Sequence, residues 1–157
     1  MKRETVIAGP LALTLEWEQD EIVAIGLGWS KELKPSASLS PAGRALHKAL
    51  ERYVRGEDPQ WPELPLALDR VSPFTRQALE VLARETPPGT TLTYGELAAR
   101  CGRPRAARAV GRAMSANRWP LILPCHRVLG AGGALTGYSN PAGVKLKRFL
   151  LELEGAL

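Results

Sequence analysis

Residues 93–117, TYGELAARCGRPRAARAVGRAMSAN, hold two runs of helix-forming residues split by a short break containing Gly102 and Pro104. Proline cannot continue a helix, and glycine readily takes the turn that ends one. The spacing predicts a helix over about 94–100, a tight turn, and a second helix over about 105–115, the pattern of a helix-turn-helix. In the second helix Arg105, Arg108 and Arg112 fall at i, i+3 and i+7 and share a face. Ala106, Ala109, Val110 and Ala113 form a broadly opposite stripe that can bury against the first helix. Ala107 and Gly111 lie between these faces, and their small size lets the backbone approach a partner closely. Arginines flanked by small residues suit a helix laid into a nucleic-acid groove; an ordinary amphipathic helix with a basic outer face has the same pattern.

The stretch before it changes period. Residues 5–29 read as strands: TVIAG, LALTLEWE and IVAIGLGW are β-prone runs separated by Gly-Pro and by QDE. The alternation of Leu11, Leu13, Leu15 and Trp17 predicts a sheet with one buried face. Ser40 before Pro41 marks a helix start; that helix runs through Ala45, Leu46, Ala49, Leu50 and Tyr53 to a stop near Gly56, with His47 on its solvent side. GEDPQWPELPLALDRVSP reads as a linker, which sets the domain boundary near Arg70. Ser72 and Pro73 start another helix with Phe74, Ala78, Leu79, Val81 and Leu82 on its apolar face, ended by TPPGT. After a Gly-rich loop (130–137), a last helix from about Pro141 buries Leu146, Phe149, Leu150 and Leu153. The order predicts an α/β N-terminal domain over 1–70, a small antiparallel sheet plus helix. A mainly α C-terminal domain bearing the helix-turn-helix follows over 71–157.

The 157 residues suffice for a real core. No uninterrupted apolar stretch reaches the roughly 18 residues of a membrane span, and MKRETVIAGP lacks the apolar region of a signal peptide, so a cytoplasmic protein is expected. In that reducing compartment Cys101 and Cys125 are free thiols. With only two histidines, His47 and His126, and no pair at ligand spacing, no metal site is expected. The net charge of +5 is unevenly spread. Residues 1–70 carry nine basic and eleven acidic side chains; residues 71–157 carry twelve and five, and no acid occurs between Glu96 and Glu152. Such a basic half fits a polyanion partner or, more simply, a solvated basic face.

The chemistry centres on LILPCHRVLG, residues 121–130. A cysteine after an apolar run is commonly a small core residue; one beside a histidine can be a nucleophile if a base makes its thiolate. Adjacent side chains point apart, so a relay between Cys125 and His126 through water or a turn is expected. Glu154 is the carboxylate best placed to orient the imidazole, which gives a Glu–His–Cys arrangement with the logic of a hydrolytic triad. Core thiol and nucleophile both remain open on these residues alone.

PCHRV at 124–128 resembles the active-site motif of the O6-alkylguanine-DNA alkyltransferases, also called methylated-DNA–protein-cysteine methyltransferases. PFTRQAL, TYGELA, AARAVGRAMSAN, PLILPCHRVLG, GALTGYS and LLELEG resemble that family in order and spacing, over about residues 72–155; over 1–70 only IAGPLALTLE does. The resemblance implies a ribonuclease H-like N-terminal domain and a monomer without cofactor. It implies binding of double-stranded DNA through the minor groove, and flipping of an O6-alkylguanine (or O4-alkylthymine) out of the stack. One alkyl group is then transferred irreversibly to the cysteine. By position, the resemblance makes Cys125 the acceptor, His126 its base through a water, Glu154 the partner of His126, and Asn117 a brace of the reactive turn. It makes Tyr94 the group that presses on the target phosphate and protonates the leaving guanine. Arg108 would fill the flipped base's space. Thr75 would touch a phosphate, with Arg105, Arg112, Ala107 and Gly111 along the DNA-facing helix. Pro120, Val128, Tyr138 and Ser139 would line the guanine pocket. Three features depart from the family pattern: Asn140 follows GYS where bacterial members often carry tryptophan, Ser115 replaces a basic residue of some members, and the zinc-binding cysteines of some animal members are missing from residues 1–70. The alternatives are a lesion sensor of the alkyltransferase-like kind, which lacks the acceptor cysteine, a helix-turn-helix regulator without chemistry, and a Cys-His hydrolase.

Overall fold

The computed structural model describes residues 2–157. The chain divides into two compact units, Met1–Ala67 and Leu68–Leu157.

In the first unit β1 (Lys2–Ala8), β2 (Leu11–Glu18) and β3 (Glu21–Trp29) form an antiparallel meander in that order. The register sets Val6 beside Leu13 and Leu13 beside Leu27. Leu11, Leu13 and Leu15 are buried as the alternation predicts, and Trp17 is half-buried. Helix α1 (Pro41–Val54) packs on β1. Ser40 caps it by accepting from the Gly43 amide, with Pro41 at the first helical position. One carboxylate, Glu4, lies within the buried face at 2% exposure. It accepts from Trp17 Nε1 (2.6 Å) and from the amide (2.8 Å) and hydroxyl (2.6 Å) of Ser40, which fastens the start of α1 to the sheet. Position 43 must be glycine, because a Cβ there would collide with the Glu4 carboxylate.

Two expectations fail in this unit. His47 is half-buried, and its Nε2 donates to the Ile7 carbonyl (2.9 Å): the sheet edge supplies an acceptor that helix periodicity alone does not reveal. The Pro-rich stretch is no free tether. The Ile22 amide donates to Pro65 and the Ala67 amide donates to Ile22, so the chain runs along β3 to Ala67, and Trp61 packs on the Tyr53 ring. Proline holds the backbone extended, the form that an edge strand can pair.

The second unit opens with α2 (Pro73–Glu85), capped by Ser72. Ala78, Leu79, Val81 and Leu82 are buried; Phe74 is only half-buried beneath the Arg103 guanidinium. Strand β4 (Leu92–Thr93) pairs in parallel with β5 (Val128–Leu129). Helix α3 (Tyr94–Arg100) starts on a reciprocal Thr93–Glu96 capping box. Helix α4 (Ala107–Ser115) starts two residues later than expected. Pro104 and a turn closed by the Ala106 amide on the Arg103 carbonyl take up the preceding residues, which removes Arg105 from the face shared by Arg108 and Arg112. Helix α5 (Gly143–Leu153) likewise starts after Pro141, because the Asn140 side chain accepts from the Ala142 amide and holds a turn there. Its buried residues are Leu146, Lys147, Leu150 and Leu151, while Phe149 and Leu153 are half-exposed. No described helix is long and apolar enough to cross a membrane.

Candidate functional site

Cys125, His126 and Arg127 form one 3-10 turn between an irregular segment and β5. The segment before it is built tightly. Leu121 adopts a left-handed backbone (φ 75°), Trp119 is fully buried, and the Cys125 amide donates to the Leu123 carbonyl (2.8 Å). Asn117 clamps this bend from both sides. Its Nδ2 donates to Leu123 (2.8 Å), and its Oδ1 accepts from the Trp119 amide (2.9 Å). Leu121 and Leu123 of the apolar run are buried, and Cys125 follows them at 7% exposure.

Burial pushes the Cys125 thiol up from its ordinary range; Asn117, Tyr138 and the charge of Lys147 act in the opposite direction. Tyr138 presents a buried hydroxyl that has no hydrogen-bond partner among the described residues, close enough that a thiolate on Cys125 would be its acceptor. Lys147 is itself buried, and its Nζ donates to the Val128 carbonyl (2.8 Å).

Behind the thiol, His126 Nε2 lies 2.6 Å from Glu154 Oε2. Arg127 holds the same carboxylate, Nε to Oε1 at 2.8 Å and Nη2 to Oε2 at 3.2 Å, and its Nη1 donates to the Thr86 carbonyl at the end of α2. Burial alone would raise Glu154, but the hydrogen bonds and charges of His126 and Arg127 hold it at about 2. Burial pushes His126 down. Glu154 is thus an ion and His126 a neutral ring at neutral pH. A carboxylate only accepts, so the proton sits on Nε2 and Nδ1 keeps a lone pair.

The structure gathers Cys125, His126, Glu154, Asn117 and Tyr138 into one cluster. Val128 is buried in β5, next to the reactive turn, and Pro120 is half-buried in the segment before it. Ser139 is exposed on its loop. Tyr94, half-buried, is the first residue of α3 and follows the strand that pairs with β5. Thr75 is buried, and its hydroxyl pairs with that of Ser72 (3.0 Å). On α4 and its C-cap, Arg108, Gly111, Arg112, Ser115 and Ala116 line an open hollow. Arg108 and Arg112 are exposed, and a Cβ on Gly111 would meet nothing within 4 Å, so internal packing does not demand a glycine there. The described residues hold no cluster of three or more potential metal ligands.

Neither Arg127 nor Lys147 carries a role readable from a motif. A lysine inside the Leu146–Leu150–Leu151 face was a readable signal; the Arg127–Thr86 link joins residues 41 positions apart and left none.

The family model for the 6-O-methylguanine DNA methyltransferase DNA binding domain matches residues 73–156. A methylated-DNA–protein-cysteine methyltransferase of Methanosarcina acetivorans is 43% identical over 113 residues, 72% of this chain and 69% of that protein. One of the same name from Shigella flexneri is 37% identical over 147 residues, 91% of this chain and 82% of that protein. Among solved structures, Mycobacterium tuberculosis OGT in complex with DNA superposes with a TM-score of 0.75 at 34% identity, covering 98% of this chain and 92% of that one. The fold, a small antiparallel sheet plus helices, is therefore shared over nearly the whole chain.

Proposed function

The chain belongs to the 6-O-methylguanine DNA methyltransferase family, and from that premise we propose that it repairs alkylated DNA by moving the alkyl group of O6-alkylguanine, and of O4-alkylthymine, onto Cys125. The observation that carries this reading is a buried thiol set beside a neutral histidine whose far nitrogen is tied to an ionised glutamate with a buried side chain.

In this reading His126 Nδ1 takes the Cys125 proton through a water, and Glu154 stabilises the imidazolium that forms. The thiolate attacks the alkyl carbon, forming an S–C bond as the C–O6 bond breaks. The electron pair goes to the guanine, which takes a proton from Tyr94. The alkyl group arrives already activated on O6, so no cofactor enters. A thioether is a poor leaving group, so each molecule acts once.

Asn117 keeps the turn in shape for this step, and Pro120, Val128, Tyr138 and Ser139 line the base's pocket. The DNA is double-stranded and enters by its minor groove onto α4. Ala107 and Gly111 let the backbone close in, Arg108 fills the space of the flipped base, and Arg112 meets phosphate. Arg105, from the turn before α4, meets a phosphate outside that helix face, as does the start of α2 at Thr75. Residues 1–70 form a supporting domain of ribonuclease H-like type, and 71–157 the DNA-binding and acceptor domain. The protein works as a monomer in the cytoplasm, a compartment that suits two free thiols.

Intact mass after incubation with a duplex carrying O6-methylguanine tests the reaction. One added methyl per molecule is expected, and none in Cys125→Ser. Methylation that survives this substitution, or repeated turnover, would overturn the reading. A lesion sensor without transfer is disfavoured because the acceptor thiol is present.

A further inference from the structure

Arg127 is only 4% exposed, and a guanidinium does not give up its charge in a protein. Its burial requires fixed partners, and it has them: both oxygens of Glu154 and the carbonyl of Thr86. The two-point fork fixes the plane of the carboxylate, which single-point contacts would leave free to turn. Within that plane Oε2 is shared between Arg127 Nη2 (3.2 Å) and His126 Nε2 (2.6 Å). The Thr86 carbonyl anchors the fork in turn. Thr86 is buried at the end of α2, where its own amide (3.0 Å) and hydroxyl (2.6 Å) both donate to Leu82.

We propose that Arg127 is a positioning residue for alkyl transfer: its grip on Glu154, anchored on the Thr86 carbonyl, holds His126 as the neutral ring protonated on Nε2, so that Nδ1 is the base. The proposal rests on the alkyl-transfer reading above. Groups that hydrogen-bond to the far side of a catalytic or metal-bound histidine set its tautomer in the same way, and their loss costs about 10- to 100-fold. The geometry leaves Nδ1 for this task, since it is buried and no described residue hydrogen-bonds to it. The charged groups acting on His126 are Glu154, Arg127 and, from α5, Lys147; the neighbouring titratable groups are Cys125 and Tyr138. Glu154 draws a proton onto the ring, whereas the two cations repel it. Removal of Arg127 therefore lets His126 keep its second proton to higher pH, and the acid side of the rate profile moves upward.

The test uses the full chain as wild type, Arg127→Lys and Arg127→Met. Nitrogen-15 NMR of the histidine rings reads the tautomer, with only His47 sharing the spectrum. Methyl transfer from a methylated duplex is followed against pH, and thermal unfolding reports the fold. The expected result is a wild-type His126 protonated on Nε2. In the folded variants a mixed or doubly protonated ring is expected, with transfer slowed about 10- to 100-fold and the acid limb shifted to higher pH, less so in Arg127→Lys. A folded variant with the wild-type tautomer and pH profile overturns the proposal. So does a wild-type ring carrying its proton on Nδ1, whether or not either variant folds. If wild type accepts no methyl group, the repair reading fails, while the tautomer measurement still tells whether Arg127 sets the ring.

Discussion

The thiol of Cys125 sits where burial opposes its ionisation, yet the proposed transfer needs a thiolate. Lys147 is the compensating charge. It is 1% exposed on an otherwise apolar helix face, tied to the Val128 carbonyl, and burial lowers its own hold on a proton while a thiolate at Cys125 raises it. The two groups thus favour each other's charged forms. Replacing Lys147 with methionine keeps most of the packing and removes the cation. The thiol then ionises less readily, so methyl transfer slows, by roughly tenfold for each unit that the thiol moves, and the rise of rate with pH shifts to the alkaline side. Rate against pH, paired with thiolate absorbance, checks this; a folded Lys147→Met protein with an unmoved profile would refute it. Cys125, His126, Glu154 and Asn117 were legible in the sequence because the family motif marks them. Lys147 was legible in principle as a charge on an apolar stripe. Arg127 was not, because its meaning lies in Glu154 and Thr86, 27 and 41 residues away.

On the proposed reading, helix α4 separates what DNA requires from what the fold requires. Val110, Ala113 and Met114 are buried, while Arg108 and Arg112 stand exposed with Gly111 between them. Glycine in a helix interior costs roughly 0.5–1 kcal/mol relative to alanine. Since nothing packs on the open side of Gly111, Gly111→Ala should stabilise the protein by about that amount in thermal unfolding. Gly111→Leu should fold and yet bind duplex at least about tenfold more weakly, because its side chain would occupy the proposed line of approach. Arg108→Ala should slow repair of duplex far more than reaction with free O6-alkylguanine base; equal losses on both substrates would argue against a stack-filling role. Elements with local signals were readable: a serine cap followed by proline at both α1 and α2, and the strand alternation of β2. The errors fall where a side chain or ring captures the backbone at a helix start. Pro104 delays α4 and strands Arg105 in a turn, and Asn140 delays α5. His47 departs from the expected solvent side because its acceptor belongs to β1.

Each of the two compact units buries one carboxylate that its surroundings keep ionised, Glu4 in the first and Glu154 in the second. Burial works against both charges, and hydrogen bonds prevail: Ser40 and Trp17 hold Glu4 below its ordinary range, and His126 and Arg127 hold Glu154 at about 2. An unfolded glutamate takes up its proton near about 4.3. A carboxylate held lower in the fold therefore contributes stability that is complete above that value. This contribution disappears as pH falls toward the folded value. Both units should thus lose their carboxylate contribution below about pH 4.3, the second one progressively toward pH 2, while the burial of a neutral His126 already weakens the second unit below about pH 6.5. Glu4→Gln separates them. The amide cannot offer two charged acceptor oxygens to Ser40 and Trp17, so the first unit loses stability at neutral pH. Having no carboxylate to protonate, it also varies less with acid. Hydrogen exchange read peptide by peptide between pH 7 and pH 3, corrected for the intrinsic exchange rate, should show lowered and flattened protection in β1, β2 and the start of α1, with α5 and the Cys125 turn unchanged. Strand protection in Glu4→Gln that falls with acid as steeply as in the wild type would place the first unit's acid response in some other group.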